Sequence, residues 1–249
     1  MKIMLAIGLS AALSLAMGVA PGSTSDDKIE SSLTHSYVWK TYLKNDSVMV
    51  KAKDGVVTLT GSVSEEYHRS LAEETALDLP AVTRVDNRVE VVPTRGATSN
   101  DWTTAKVKAT LLFHSKVSAG TEVTVKNGVV TLAGPADSAS QKKLTGEYAL
   151  RVDGVTEVRN NLTVSNAPSS AMKEKDKTVE EIDDASITAE VKMALLFDRS
   201  TSSLKTTVKT TDGVVTLTGK ATTTVARDEA TRLAGDLKGV KSVRNRMTE

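Results

Sequence analysis

Cysteine is absent from the 249 residues. That excludes disulfides, cysteine–zinc sites and thiol catalysis, and it excludes a lipid-modified N-terminal cysteine, so the protein is not a lipoprotein. Aromatic residues are scarce at 3%, so a core must be built from Val, Leu, Ala and Thr. A surplus of either charge is missing too: 32 Lys+Arg face 31 Asp+Glu, a formal +1. Bulk electrostatic binding to nucleic acid needs a basic excess, so no nucleic-acid partner is expected. Beyond the first twenty residues no segment is apolar enough to span a bilayer.

The N-terminus reads as a separate object. Lys2 precedes the apolar run Ile3 to Ala20, and small residues at Ala16, Gly18, Ala20 and Gly22 lead into the polar "STSDD". A charged start, an apolar stretch and small residues make a secretory signal peptide, expected over 1–22. A retained anchor is the alternative, because the run lies at the lower edge of spanning length. Export without cysteines suits a bacterial periplasm. Residues 23–32 are expected to be a disordered tether.

What the sequence does contain is a repeat. "DGVVTLTG" starts at Asp54, "NGVVTLAG" at Asn127 and "DGVVTLTG" again at Asp212. Asp-Gly and Asn-Gly are the tight hairpin signals, and the letters that follow alternate like a strand, with Val57, Leu59 and Val63 on one face. Gly55, Gly128 and Gly213 are expected as structural turn residues, and Gly61, Gly134 and Gly219 as the points where each strand must turn sharply. "VMVKAK", "EVTVKN" and "KTTVKTT" precede the turns as first arms.

Offsets of 73 and 85 residues align the three copies without a gap from the turn onward. A helical stretch follows each hairpin, with Ser64 the expected N-cap of the first. Then comes a third strand, in which Asn87, Asn160 and Asn245 match. Another amphipathic helix precedes each hairpin, read as "SYVWKTYLK", "TTAKVKATLLF" and "SITAEVKMALLF", the first copy being a few residues shorter before its hairpin. The expected fold class is α+β: three tandem αββαβ domains, each a three-stranded sheet with two helices on one face. The units are placed at 33–93, 100–165 and 183–249, strung separately, with a flexible linker over 166–182 whose sequence is polar and without apolar period.

The unit resembles the BON domain. The resemblance is carried by "DDASITAEVKMALL" from Asp183, by the repeated hairpin arm, by the turns at Gly154 and Gly239, and by "VRN" before the last strand. The first copy departs from it, with Pro80-Ala81 replacing the turn glycine and no "DASI" start. The resemblance implies envelope work without chemistry: association with phospholipid surfaces, and, from a two-unit periplasmic member induced by osmotic stress, chaperone action on exported and outer-membrane proteins.

No catalytic, cofactor or metal site is expected, and the protein is read as not an enzyme. His35, His68 and His114 fall at non-matching positions, and no nucleophile elbow, phosphate loop or dinucleotide fingerprint is present. The matched asparagines are read as amides that satisfy backbone groups rather than as ligand contacts. Arg84, Arg88, Arg159, Arg244 and Arg246 lie on the outer face of the third strands, and Arg88, Arg159, Arg244 and Arg246 form the candidate lipid or partner surface. Trp39, Tyr42 and Trp102 are candidate interfacial aromatics. Two functions follow: a periplasmic holdase whose partners are unfolded or maturing envelope proteins, or an adaptor attached to anionic phospholipid surfaces.

Overall fold

A computed structural model describes residues 24–92, 99–117, 120–164, 181–202 and 204–249. The expected signal segment and most of the linker lie outside these residues. Unit 1 runs α1 (Thr24–His35), α2 (Tyr37–Thr41), β1 (Ser47–Lys53), β2 (Val56–Val63), α3 (Glu66–Leu77) and β3 (Arg84–Val91). Unit 2 runs α4 (Ser99–Phe113), β4 (Glu122–Lys126), β5 (Val129–Ala133), β6 (Pro135–Ala136), α5 (Ala139–Arg151), β7 (Glu157–Asn160) and β8 (Thr163–Val164). Unit 3 runs α6 (Asp184–Phe197), β9 (Lys205–Thr211), β10 (Val214–Lys220), α7 (Thr224–Gly235) and β11 (Ser242–Asn245).

Each unit has one three-stranded sheet with the octapeptide arm in the middle, in the orders β1-β2-β3, β4-β5-β7 and β11-β10-β9. The hairpin pairs antiparallel, and the third strand, reached through a helix, pairs parallel. Period-two alternation puts Val57, Leu59, Val130, Leu132, Val215 and Leu217 wholly inside. Asp54, Asn127 and Asp212 take φ of 51–53° and the glycines after them 75–78°, the two positive values of a tight hairpin turn. The sharp turn expected at Gly61 and Gly219 is corrected: β2 and β10 run through them, and only Gly134 stands at a break between strands. All three have φ of 108–122°, and a Cβ at Gly61 would stand 1.8 Å from the Ser47 carbonyl oxygen, so glycine is needed where the edge strand passes close.

The tether is corrected: residues 24–35 form the leading helix of unit 1, with Ile29 and Leu33, one turn apart, buried. "SYVWKTYLK" is not that helix but holds a five-residue turn of helix after it. Unit 1 is therefore not shortened. Asp26 accepts from the amide of Asp54, 28 residues on, as Asp184 accepts from that of Asp212, also 28 residues on. Each carboxylate also takes the next glycine's N–H. In unit 2 the Asn100 side chain accepts from the Asn127 amide. "DDKI" thus does the work of the "DASI" start. Ser64 is corrected as well: α3 has Glu65 at its N-cap without a side-chain bond, and Ser64 Oγ bonds Asp46 instead.

The units are not strung separately. One apolar core joins unit 1 (Leu33, Trp39, Leu71), the buried side of α4 (Ala105, Phe113) and unit 3 (Ile187, Leu217), while unit 2 keeps a second core under its own sheet. α6 is the shared element. It is buried around nearly its whole circumference, with Ser186, Thr188 and Glu190 buried among its apolar residues. Ile182, at the end of the expected linker, packs on this core too.

Units 2 and 3 are paired about a local two-fold. His114 bridges Leu237, and the equivalent positions Asp198 and Val152 bridge in return. Lys238 N–H donates to Phe113 O while Asp153 N–H donates to Phe197 O. Ser115 N–H donates to Asp236 O while Arg199 N–H donates to Arg151 O. Unit 1 docks differently, with α3 against α6 and the Glu74 carboxylate 2.5 Å from Lys192 Nζ.

Candidate functional site

Three places carry groups that are not simply core, and the first is the outer face of each sheet. On β3, Arg88 is held by Asp86 at 2.6 Å, and on β7 Arg159 by Glu157 at 3.1 Å. Residues two apart on a strand share a face, so these arginines are neutralised where they stand. Arg244 and Arg246 differ: both are exposed and carry no ion pair among the described residues. Arg244 lies across the sheet from Thr216, which is flanked on its other side by Lys209. Strands β9, β10 and β11 contain no Asp or Glu, so Lys205, Lys209, Lys220, Arg244 and Arg246 give unit 3 a face of one sign. Of the four candidate arginines only these two form a free cationic surface.

The second place is a cleft that occurs twice. In unit 2 it lies between α4 and the sheet edge β4, holds about 480 Å³ and is lined by Lys108, Leu111, Leu112 and Val123. In unit 3 it lies between α6 and the edge strand β9, holds about 390 Å³ and is lined by Lys192, Leu195, Leu196 and Val208. These are equivalent residues of the repeat. Leu112 and Leu196 are 37% and 51% exposed, where their helix neighbours Leu111 and Leu195 are buried. The doubled "LLF" of the two leading helices carried this signal: it has one leucine more than a single buried face requires.

The third place is the junction between units. Tyr42 Oη donates to Glu190 Oε1 at 3.0 Å; Glu190 is fully buried and its Oε2 has no hydrogen-bond partner. Burial pushes the Glu190 carboxyl up to about 8, with the Tyr42 hydrogen bond opposing. Burial, then the neighbouring Glu190, raises the Tyr42 phenol well above its usual value. At the unit 2–3 pairing, His114 Nδ1–H donates to Thr110 O at 2.6 Å and its ring lies 3.8 Å from that of Tyr148. Burial lowers the His114 imidazole to about 4. Trp39 and Tyr42 are buried at this junction and not at a lipid interface; Trp102 is 40% exposed, edge-on to Phe197.

A hydrolytic arrangement is not assembled from the Asp46–His68 pair. Asp46 Oδ2 meets His68 Nδ1 at 2.5 Å, but Ser64 Oγ bonds the same carboxylate and so is not activated by the imidazole. Among the described residues no group of three His, Asp or Glu side chains is placed to hold a metal ion, and no helix is long and apolar enough to cross a membrane.

Comparison with known proteins agrees with the repeat. The BON domain family matches residues 25–93, 99–166 and 183–249. The chain is 38% identical over 144 residues to osmotically-inducible protein Y of Escherichia coli K12, covering 57% of this chain and 68% of that protein. Two solved structures of CdsD, a structural protein of the type III secretion system of Chlamydia trachomatis, are 15% and 14% identical, cover 89% and 91% of this chain and 90% and 98% of theirs, and have TM-scores of 0.24 and 0.23.

Proposed function

The chain belongs to the BON domain family, with three units in tandem, and from that premise we propose that it is a non-enzymatic periplasmic protein of the stressed bacterial envelope, a holdase for exported or outer-membrane proteins. The observation that carries this reading is the duplicated cleft. Two apolar-lipped grooves of similar size stand at equivalent positions of a paired unit, each beside an unpaired sheet edge. An unfolded chain offers extended segments with apolar side chains, which suit a groove beside a strand edge. Two weak sites on one body hold such a chain more tightly than either alone. The similarity to a protein named for osmotic induction supports the setting, and the sequence of residues 1–22 supports export. The test is suppression of aggregation of an unfolded outer-membrane protein. Wild type is expected to hold it, and Leu112→Asp with Leu196→Asp to lose most of that capacity without a change in melting temperature, since both leucines are exposed. A wild type that does not hold, or a double variant that holds equally well, overturns the reading.

A second reading, attachment to anionic phospholipid, is favoured by the single-sign face of unit 3. Each cation near such a surface contributes about 1 kcal/mol, and the effect is screened at physiological salt. Wild type is expected to float with anionic vesicles at low salt and not at high salt, and Arg244→Ala with Arg246→Ala to float less. Equal flotation of the double variant rules this face out.

A further inference from the structure

Unit 1 reaches unit 3 through a row of contacts along one side of α6. Tyr37 N–H donates to Asp183 Oδ2 at 2.8 Å, Val38 N–H to Ser186 Oγ at 3.1 Å, and Tyr42 Oη to Glu190 Oε1 at 3.0 Å. Asp183, Ser186 and Glu190 are spaced three and four apart, so they form one stripe. The first two contacts are ordinary polar bonds near the start of α6. The third is not ordinary: it puts a wholly buried carboxyl, with one oxygen unpartnered, under the clasp made by residues 36–43.

We propose that this clasp is a proton-controlled latch, in which unit 1 stays docked on α6 while Glu190 is protonated and comes away when Glu190 ionises.

The surroundings of Glu190 leave its charge poorly compensated. α2 and its C-cap bring the phenols of Tyr37 and Tyr42, neither of which carries a positive charge. The turn after α7 brings Lys238, the one cation that favours ionisation, and burial lowers the pKa of that amine itself. Asp183, just ahead of α6, opposes ionisation. The other packed elements direct their polar groups elsewhere. From α3, Glu74 pairs with Lys192, and the C-cap Asp78, its carboxyl raised by burial with Thr188 and Lys192 opposing, faces that side of α6. β9 brings Thr210 to Thr188, and Lys209 acts on Asp78. α4 brings Phe113, edge-on to Tyr42 at 5.5 Å.

The direction follows by linkage. Docked, Glu190 keeps its proton up to about 8; freed into water it returns toward 4.5. Between those values each undocking releases a proton to solvent, so the docking constant falls as pH rises, by at most about tenfold per pH unit. Below that window docking is strongest, and above it the constant levels off.

The experiment is amide hydrogen exchange on the full chain from pH 5 to pH 8, corrected for the intrinsic rate. In wild type the protection of residues 36–43 is expected to fall with pH by several-fold per unit. In Glu190→Gln, which keeps an acceptor for Tyr42 and cannot ionise, it is expected to stay level. Should the Gln variant not fold, Glu190→Met supplies the same non-ionising test. The amides of Ser115, Asp153 and Lys238, which tie units 2 and 3, are expected to keep their protection in all cases. Level protection in wild type, an equal slope in the non-ionising variant, or a parallel loss at those three amides overturns the latch.

Discussion

Asn87, Asn160 and Asn245 make the same pair of bonds in three places. The amide NH2 donates to a helix carbonyl, of Arg69, Lys142 and Arg227, and the amide oxygen accepts the N–H two residues on. Each side chain therefore rivets the second helix to the third strand. Removing Asn160 leaves those backbone groups unpaired in a half-buried place, so Asn160→Ala is expected to cost about 1–3 kcal/mol in urea unfolding. The neighbour on the helix differs between units: Glu73 and Thr231 accept from the asparagine, while the equivalent Gly146 leaves room for it. A Cβ at Gly146 would stand 2.8 Å from Asn160 Nδ2. Gly to Ala within a helix ordinarily gains about 1 kcal/mol; here Gly146→Ala is expected to gain nothing or to destabilise, as the same unfolding curves would register.

At the scale of elements, the leading helices differ by what they must meet. In unit 2, Lys106 of α4 reaches the Asp153 carbonyl at 2.6 Å and its carboxylate at 3.4 Å. The equivalent places in unit 3 hold Glu190 and Lys238, the same charges exchanged. α4 and α6 also end differently, at His114 and Asp198. Asp198 is paired with Arg151 at 3.0 Å, whereas His114 Nε2 has no partner. The folded imidazole, at about 4, lies below its unfolded value of 6.5, so the unfolded chain binds more protons between those values. Stability is full above 6.5 and is lost as pH falls toward 4, by about 3 kcal/mol at most. His114→Gln is expected to flatten that acid limb in urea unfolding between pH 4 and pH 7.

At the scale of the whole molecule, units 2 and 3 are a dimer inside one chain. Arg151 bonds both Asp198 and Glu229, Tyr148 Oη donates to Asp236 at 2.9 Å, and Arg199 reaches the carbonyls of Leu150 and Val155. Those bonds and the two bridges need no covalent tie. Cleavage at a protease site engineered between residues 165 and 180 is therefore expected to leave both fragments together on size exclusion, where a string of separate domains would elute as two species. The same assembly makes the two clefts unequal: the one in unit 2 is lined by unit 2 alone, and the one in unit 3 is bordered by Glu74 of unit 1, paired with Lys192.

The sequence by itself determined what depends on neighbours along the chain. Three hairpins, their glycine turns and the alternation of buried valines and leucines were legible because a turn and a period of two are local facts. The leading helix of unit 1 was not legible. Its helix "TSDDKIESSLTH" holds two large apolar residues and lacks the "LLF" of the other copies, and what ties its start in place is the Asp26 carboxylate accepting from a turn 28 residues away. The asparagines were visible as a match, and only the carbonyls they meet gave them a role. The sequence also showed an acid two residues before Arg88 and Arg159 and none in β9 to β11; tertiary structure closed those two pairs and set Lys209 and Arg244 on either side of Thr216. It also decided that α6 lies at the centre. A helix with apolar residues on several faces can serve one sheet or three neighbours, and only the packing of unit 1 and unit 2 against it settles which.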